Sequence, residues 1–155
     1  MSQTGHIFQI STSHGGVPKR AVYRAQVETL GVAGDQHRDT VHHGGPDRAV
    51  CLYSLEKILA LQAEGNPIFP GSVGENITLT GVDWESIVPG KRIRLGEQVL
   101  LEVTQYTTPC NNITGSFADG DSDRILEKIH TGWSRVYARV LQPGEVRIGD
   151  KASVE

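Results

Sequence analysis

The chain has 155 residues and a formal net charge of -3 with acids and bases interspersed, which suits one domain with a single core and excludes the basic stripe that tracks a nucleic-acid backbone. Its longest apolar runs are a few residues, so neither a membrane span nor a secretory signal is expected, and the cytoplasm is the expected location. Two cysteines, Cys51 and Cys110, are expected free and reduced, while eighteen glycines and seven prolines are scattered singly and punctuate short elements.

His6 to Ile10 reads as a first strand, followed by the polar loop Ser11-Thr12-Ser13-His14-Gly15-Gly16-Val17-Pro18-Lys19-Arg20. Its amides and the Lys19 ammonium suit an anion, although the spacing is not that of a nucleotide-binding loop, and an ordinary solvated loop is the commoner outcome. Ala21 to Leu30 alternates as one second strand and ends at Gly31 and the turn Gly34-Asp35. Asp35 to Arg48 holds three of the six histidines and one apolar residue, Val41. That spacing matches no zinc or facial-triad pattern, so the better account is a loop whose His43-Gly44-Gly45 backbone approaches a ligand, with Arg48 supplying charge.

Ala49 to Tyr53 is a short apolar strand, and Cys51 inside it reads as a core residue. Ser54 is placed to cap a helix through Ala63, with Leu55, Ile58 and Leu59 on one face. Val73 to Leu79 then sets Gly74-Glu75-Asn76 at the start of another strand, where Glu75 and Asn76 either orient a ligand or bond their own backbone. Lys91 to Leu95 turns at Gly96-Glu97 into the stretch beginning at Val99, a hairpin. Asp121 or Ser122 is expected to cap a second helix through His130, with Ile125, Leu126 and Ile129 as its apolar face. Arg135 to Leu141, Val146 to Ile148 and Ala152 to Val154 close the chain as strands.

The stretch from Val99 to Asn112 concentrates the chemistry. Val99, Leu101 and Val103 alternate with Leu100, Glu102 and Thr104, and Pro109 cannot extend the ladder, so Cys110 is expected just past a strand end. A thiolate is the nucleophile and the metal ligand, and a polar loop offers it access. Many short strands with Gly and Pro at the turns and only two helices predict a mainly β fold, a largely antiparallel β-barrel with a few short helices packed outside.

Six ordered islands carry a resemblance: Ser13 to Lys19, Gly34-Asp35, His42 to Val50, Gly74-Glu75-Asn76, Pro109-Cys110 and Gly149-Asp150. Together they resemble the MOSC domain, the C-terminal domain of molybdenum cofactor sulfurase, here expected as a single domain over residues 1–155. The resemblance implies a cysteine, Cys110, that either ligates molybdenum of the pterin cofactor (molybdopterin) or carries sulfur as a persulfide. It further implies Lys19 at the cofactor phosphate, His43, Gly44 and Gly45 against the pterin, Asn76 at its amide edge, and Arg48, Glu75 and Asn111 among the cofactor-binding residues. The reductases of the family tend to carry Pro-Arg or another base near the cysteine, whereas this chain has Tyr106-Thr107-Thr108 before Pro109 and Asn111-Asn112 after Cys110; Arg48, Arg135 or Arg139 would have to replace it from another strand.

Two functions follow from that resemblance. One is a molybdenum-dependent oxidoreductase reducing N-hydroxylated or N-oxygenated compounds, with an electron-donor protein in trans. The other is a non-enzymatic module whose Cys110 takes sulfur from a separate cysteine desulfurase, the protein that would hold the pyridoxal phosphate. A Cys110/His43 hydrolase has the residue types but no family support. Substrate and oligomeric state lie beyond the sequence.

Overall fold

The computed structural model describes residues 3–35 and 45–155. Its strands are β1 (Gln3–Thr12), β2 (Arg20–Val22), β3 (Arg24–Glu28), β4 (Gly31–Val32), β5 (Val50–Ser54), β6 (Ile77–Thr80), β7 (Arg92–Leu95), β8 (Val99–Tyr106), β9 (Val136–Gln142), β10 (Gly144–Arg147) and β11 (Lys151–Val154). One α-helix, α1 (Leu55–Ala63), connects β5 to the parallel β6, capped by Ser54, whose hydroxyl accepts from the Lys57 amide at 3.2 Å. Seven strands in the order β11-β7-β8-β9-β5-β6-β1 close into a barrel through pairing of β11 with β1, and every pairing but β5 with β6 is antiparallel. The barrel thus removes the edges that an open sheet would expose. Among the described residues no helix is long and apolar enough to cross a membrane.

Register and alternation together say which side chains fill it. Paired residues share a face and successive residues alternate, so Leu52, Ile77, Ile10, Val136, Ala138, Val103, Leu101, Ile93 and Ala152 all point one way, into the apolar core. Among the described residues the barrel ladders slip at three places, two of which bear on the site. In β1 the register slips between Ile7 and Gln9, which keeps both Ile7 and Ile10 inward and leaves Phe8 exposed. In β8 it slips between Val103 and Gln105, so Tyr106 opposes Val136 on the inner face and Thr107 emerges on the outer one. The extra residue, Thr104, donates to the Asp47 carbonyl.

Three expectations need correction. Leu59 of α1 is exposed, and Leu61 takes the buried place beside Ile58. Ala21 to Leu30 is not one strand but breaks at Tyr23, because β2 pairs with β1 of the barrel while β3 pairs with β10 and β4 in a separate three-stranded sheet. The change of partner leaves no Gly or Pro to mark it. Nor does a helix run to His130: only Ser122–Ile125 form a 3-10 turn, and Leu126 is extended. Asp121 bonds the Asp123 amide and Glu127 reaches forward to the Gly132 amide at 3.0 Å, so local side-chain bonds outcompete a helix too short to propagate. Ile125 is buried there but Ile129 is exposed.

Gly71 marks where the loop before β6 meets the loop after β1. Its φ is +90°, and an added Cβ would lie 2.5 Å from the Lys19 carbonyl oxygen. Gly71→Ala should lower the unfolding free energy by about 2 kcal/mol, read from the urea midpoint; an unchanged midpoint would mean that the two loops are not held together there.

Candidate functional site

Opposite the apolar face, β5, β9 and the end of β8 carry polar side chains. By register Cys51 pairs with Tyr137 and, by continuation of the ladder, Arg135 lies beside Tyr53 and Thr107; these face the outside of the barrel wall and are nevertheless buried. The loop before β6 roofs them, since the Val73 carbonyl accepts from Arg135 Nη1 at 2.6 Å.

The best-satisfied part of this cluster is the pair Lys19 and Asp35, 8% and 2% exposed. The ammonium donates to both carboxylate oxygens at 2.7 Å. Asp35 also accepts from the Ser13 amide at 2.9 Å and from Asn76 Nδ2 at 2.8 Å. Asn76 Oδ1 in turn accepts from the Cys51 amide at 3.0 Å, and the Asn76 amide donates to the Cys51 carbonyl at 2.8 Å. The polar loop after β1 and the Gly-Glu-Asn island are thereby locked onto β5. A phosphate at Lys19 would have to share the ammonium with Asp35, and a pterin edge would meet an Asn76 amide already bonded at both ends.

The rest of the cluster is poorly satisfied. Glu75 is fully buried, and Thr78 Oγ1 donates to its Oε2 at 3.2 Å while Oε1 lacks a partner of hydrogen-bond geometry among the described residues. Burial pushes its carboxyl above the usual range, opposed by nearby amides and by Arg135. Arg135 is 4% exposed, and its Nε and Nη2 have no hydrogen-bond partner among the described residues. A buried polar group left in this condition costs about 1–3 kcal/mol, more if charged, so such groups call for a reason beyond packing.

Cys51 and Cys110 differ sharply. Cys51 is buried as expected, but in polar company: its Sγ lies 3.9 Å from Thr107 Oγ1, and Arg135, Glu75 and Lys19 are within electrostatic reach. Burial pushes its thiol up to about 11. Cys110 is only half-buried, sits past the end of β8 and leads into the 3-10 segment Asn111–Ser116. Burial pushes the Tyr137 hydroxyl well up, and both sulfurs, Arg135 and Arg48 lie within its electrostatic reach.

Of the other expected residues, Arg48 ends the 3-10 turn Pro46–Arg48 within reach of Tyr137, and Gly45 precedes that turn with φ +82° and open space where a Cβ would be. Asn111 is exposed, its carbonyl accepting from Thr114 Oγ1. His43 and Gly44 lie outside the described residues. Arg139 faces the carboxylates of Asp47 and Glu102 at 3.6 Å and is 45% exposed. Asp35, Thr107 and Tyr137 were not singled out by sequence; the Gly34-Asp35 island alone gave a signal. No three His, Cys, Asp or Glu side chains converge on a metal site among the described residues.

A model of the MOSC domain matches residues 39–153. The chain belongs to the MOSC domain family. This MOSC chain is 36% identical over 117 residues to the uncharacterized protein YflK of Bacillus subtilis, covering 75% of the chain and 52% of that protein. It is 34% identical over 152 residues to a protein of Gibberella moniliformis named "Reductase", covering 90% of the chain and 26% of that protein. The chain therefore spans about half the length of the first relative and about a quarter of the second. Among solved structures, the YUAD protein of Bacillus subtilis superposes with a TM-score of 0.78 at 19% identity, covering 99% of the MOSC chain and 97% of that one, which supports the barrel.

The two cysteines of the MOSC chain should react at different rates with a thiol reagent. With a thiol reagent at pH 8 the native protein should block Cys110 within minutes and Cys51 only after denaturation, because a thiol raised to about 11 holds almost no thiolate. Equal rates, read by mass spectrometry, would place Cys51 in an open site.

Proposed function

We propose that the chain is a molybdenum-cofactor-binding reductase of N-hydroxylated or N-oxygenated compounds, with Cys110 as the protein ligand to the metal and electrons supplied by a partner protein in trans. The observation that carries this reading is the setting of Cys110: a half-buried thiol at a strand end, beside a polar cluster with an unsatisfied cation. The donor set fits. One soft sulfur ligand suits a redox metal whose other ligands come with the cofactor, and a buried guanidinium edge suits its anionic part. When bound, the cofactor would supply two-electron removal of oxygen from nitrogen.

The chain's own residues do the holding. β8 ends at Tyr106, so Cys110 stands clear of the ladder, the bulge at Thr104 aims Thr107 at the polar face, and Tyr137 pairs with Cys51 across β5 and β9. The fungal relative named as a reductase and membership of the MOSC family support the reading. The same half-buried thiol also suits persulfide carriage, in which Cys110 accepts sulfur from a cysteine desulfurase. Metal and pterin analysis of protein from a host that makes the cofactor decides between them. Molybdenum bound through Cys110 supports the reductase, and its absence together with cyanide-labile sulfur on Cys110 would replace it by the carrier.

A further inference from the structure

Arg135 is held in a manner that a merely structural arginine is not. The backbone around it is pinned: Tyr53 donates to the Trp133 carbonyl at 2.5 Å, Trp84 Nε1 to the Ser134 carbonyl at 2.9 Å, and the Thr107 amide to the Arg135 carbonyl at 3.0 Å. Lys57 and Arg124 lie over the Trp133 ring at 4.2 and 4.1 Å from its centre. Against that rigid base the guanidinium is tethered, among the described residues, at one nitrogen, Nη1, to Val73. The two nitrogens without a hydrogen-bond partner among the described residues, Nε and Nη2, form one edge of the plane, the edge that meets both oxygens of a carboxylate or phosphate. Glu75, buried nearby, supplies opposing charge without closing a contact ion pair with it among the described residues.

We propose that the Nε/Nη2 edge of Arg135 is the receptor for an oxyanion of the molecule bound at Cys110. Arg135 thereby replaces the base that the Cys110 stretch lacks, whereas Arg139 is committed to Asp47 and Glu102. This rests on Cys110 marking the reactive end of the site. The oxyanion is either the phosphate ester of a cofactor or the carboxylate of a substrate, and the same fork serves both. The edge is buried, so the side chain has to turn on its stem about the Val73 tether to meet the anion.

The test uses full-length, cofactor-free protein and calorimetric titration at pH 7 with inorganic phosphate and, separately, acetate. The native chain should bind at least one of them, and the tighter of the two identifies the source: phosphate points to the cofactor, acetate to a substrate carboxylate. Arg135→Met should weaken that binding by about tenfold or more, and Arg135→Lys should weaken it too, since an ammonium lacks the fork. Arg135→Met should also melt at the same temperature as the native chain or higher, because it removes an incompletely satisfied buried charge. A structural arginine would give the opposite shift. Glu75→Gln, which keeps Arg135, should bind the anion at least as tightly as the native chain. Equal affinity in native protein and Arg135→Met, binding of neither anion, or loss of binding in Glu75→Gln would overturn the proposal. Because no metal enters the titration, anion binding that depends on Arg135 would retain this inference even where protein from a cofactor-producing host carried no molybdenum, the separate result that removes the reductase reading.

Discussion

Cys110→Ala, purified from a host with intact molybdenum-cofactor synthesis, is expected to contain no molybdenum, whereas the native chain and Cys51→Ala carry it near-stoichiometrically. The contrast follows from the two sulfurs. Cys110 is half-buried, so its thiolate meets a ligand without a desolvation penalty of Cys51's size, while Cys51 is buried with its thiol raised to about 11. Reductase activity toward an N-hydroxylated compound, measured with an artificial electron donor, should vanish with the metal in Cys110→Ala. Molybdenum retained in Cys110→Ala but lost in Cys51→Ala would reverse the assignment, and none in any of the three would shift the function to sulfur carriage. The carrier then makes its own demand: incubation with a pyridoxal-phosphate-dependent desulfurase and cysteine should load sulfur on Cys110 that cyanide releases as thiocyanate.

Asp35→Ala is expected to destabilise the protein by about 3–5 kcal/mol, the range seen when one partner of a buried ion pair is removed. The loss exceeds that of an ordinary salt bridge because three donors lose their acceptor together: the Lys19 ammonium, the Ser13 amide and Asn76 Nδ2. Lys19→Met should cost a comparable amount, and the double variant Lys19→Met/Asp35→Asn should recover part of it, since no charge is then left unpaired. The measurement is urea denaturation at neutral pH on all three variants. A change under about 1 kcal/mol for Asp35→Ala would mean that the pair behaves as an exposed one. Because Asn76 fastens β6 to β5 through Cys51, the destabilised variant should also show faster modification of Cys51.

Much of this was legible in the chain, and the reasons are local. Strict alternation in Val99 to Val103 set both the strand and its inner face, and the buried positions are those expected, Val99, Leu101 and Val103. Pro109 placed Cys110 outside the ladder, where it is found. Ser54 capped the helix it was expected to cap, because N-capping involves only residues three apart. The helix expected to reach His130 failed for an equally local reason that periodicity does not register, the capture of amides by Asp121 and Glu127.

The six islands that resemble the MOSC domain, the strand periods and the position of Cys110 past a strand end were thus determined by the sequence itself, since each depends on neighbouring residues or on their order. What only the tertiary structure decided was the company those residues keep. Arg135, Tyr137 and Arg139 read alike as the polar side of one strand, yet the first two are buried and the third is exposed, because the loop carrying Val73 covers one end of that face and not the other. Lys19 read as a free cation and is bound to Asp35, sixteen residues on. The bulge at Thr104, which turns Thr107 toward Cys51, exists only through the pairing of β8 with β9. Alternation fixes two faces for every strand; which polar face is buried, and which charges meet there, depends on segments that the fold alone brings together.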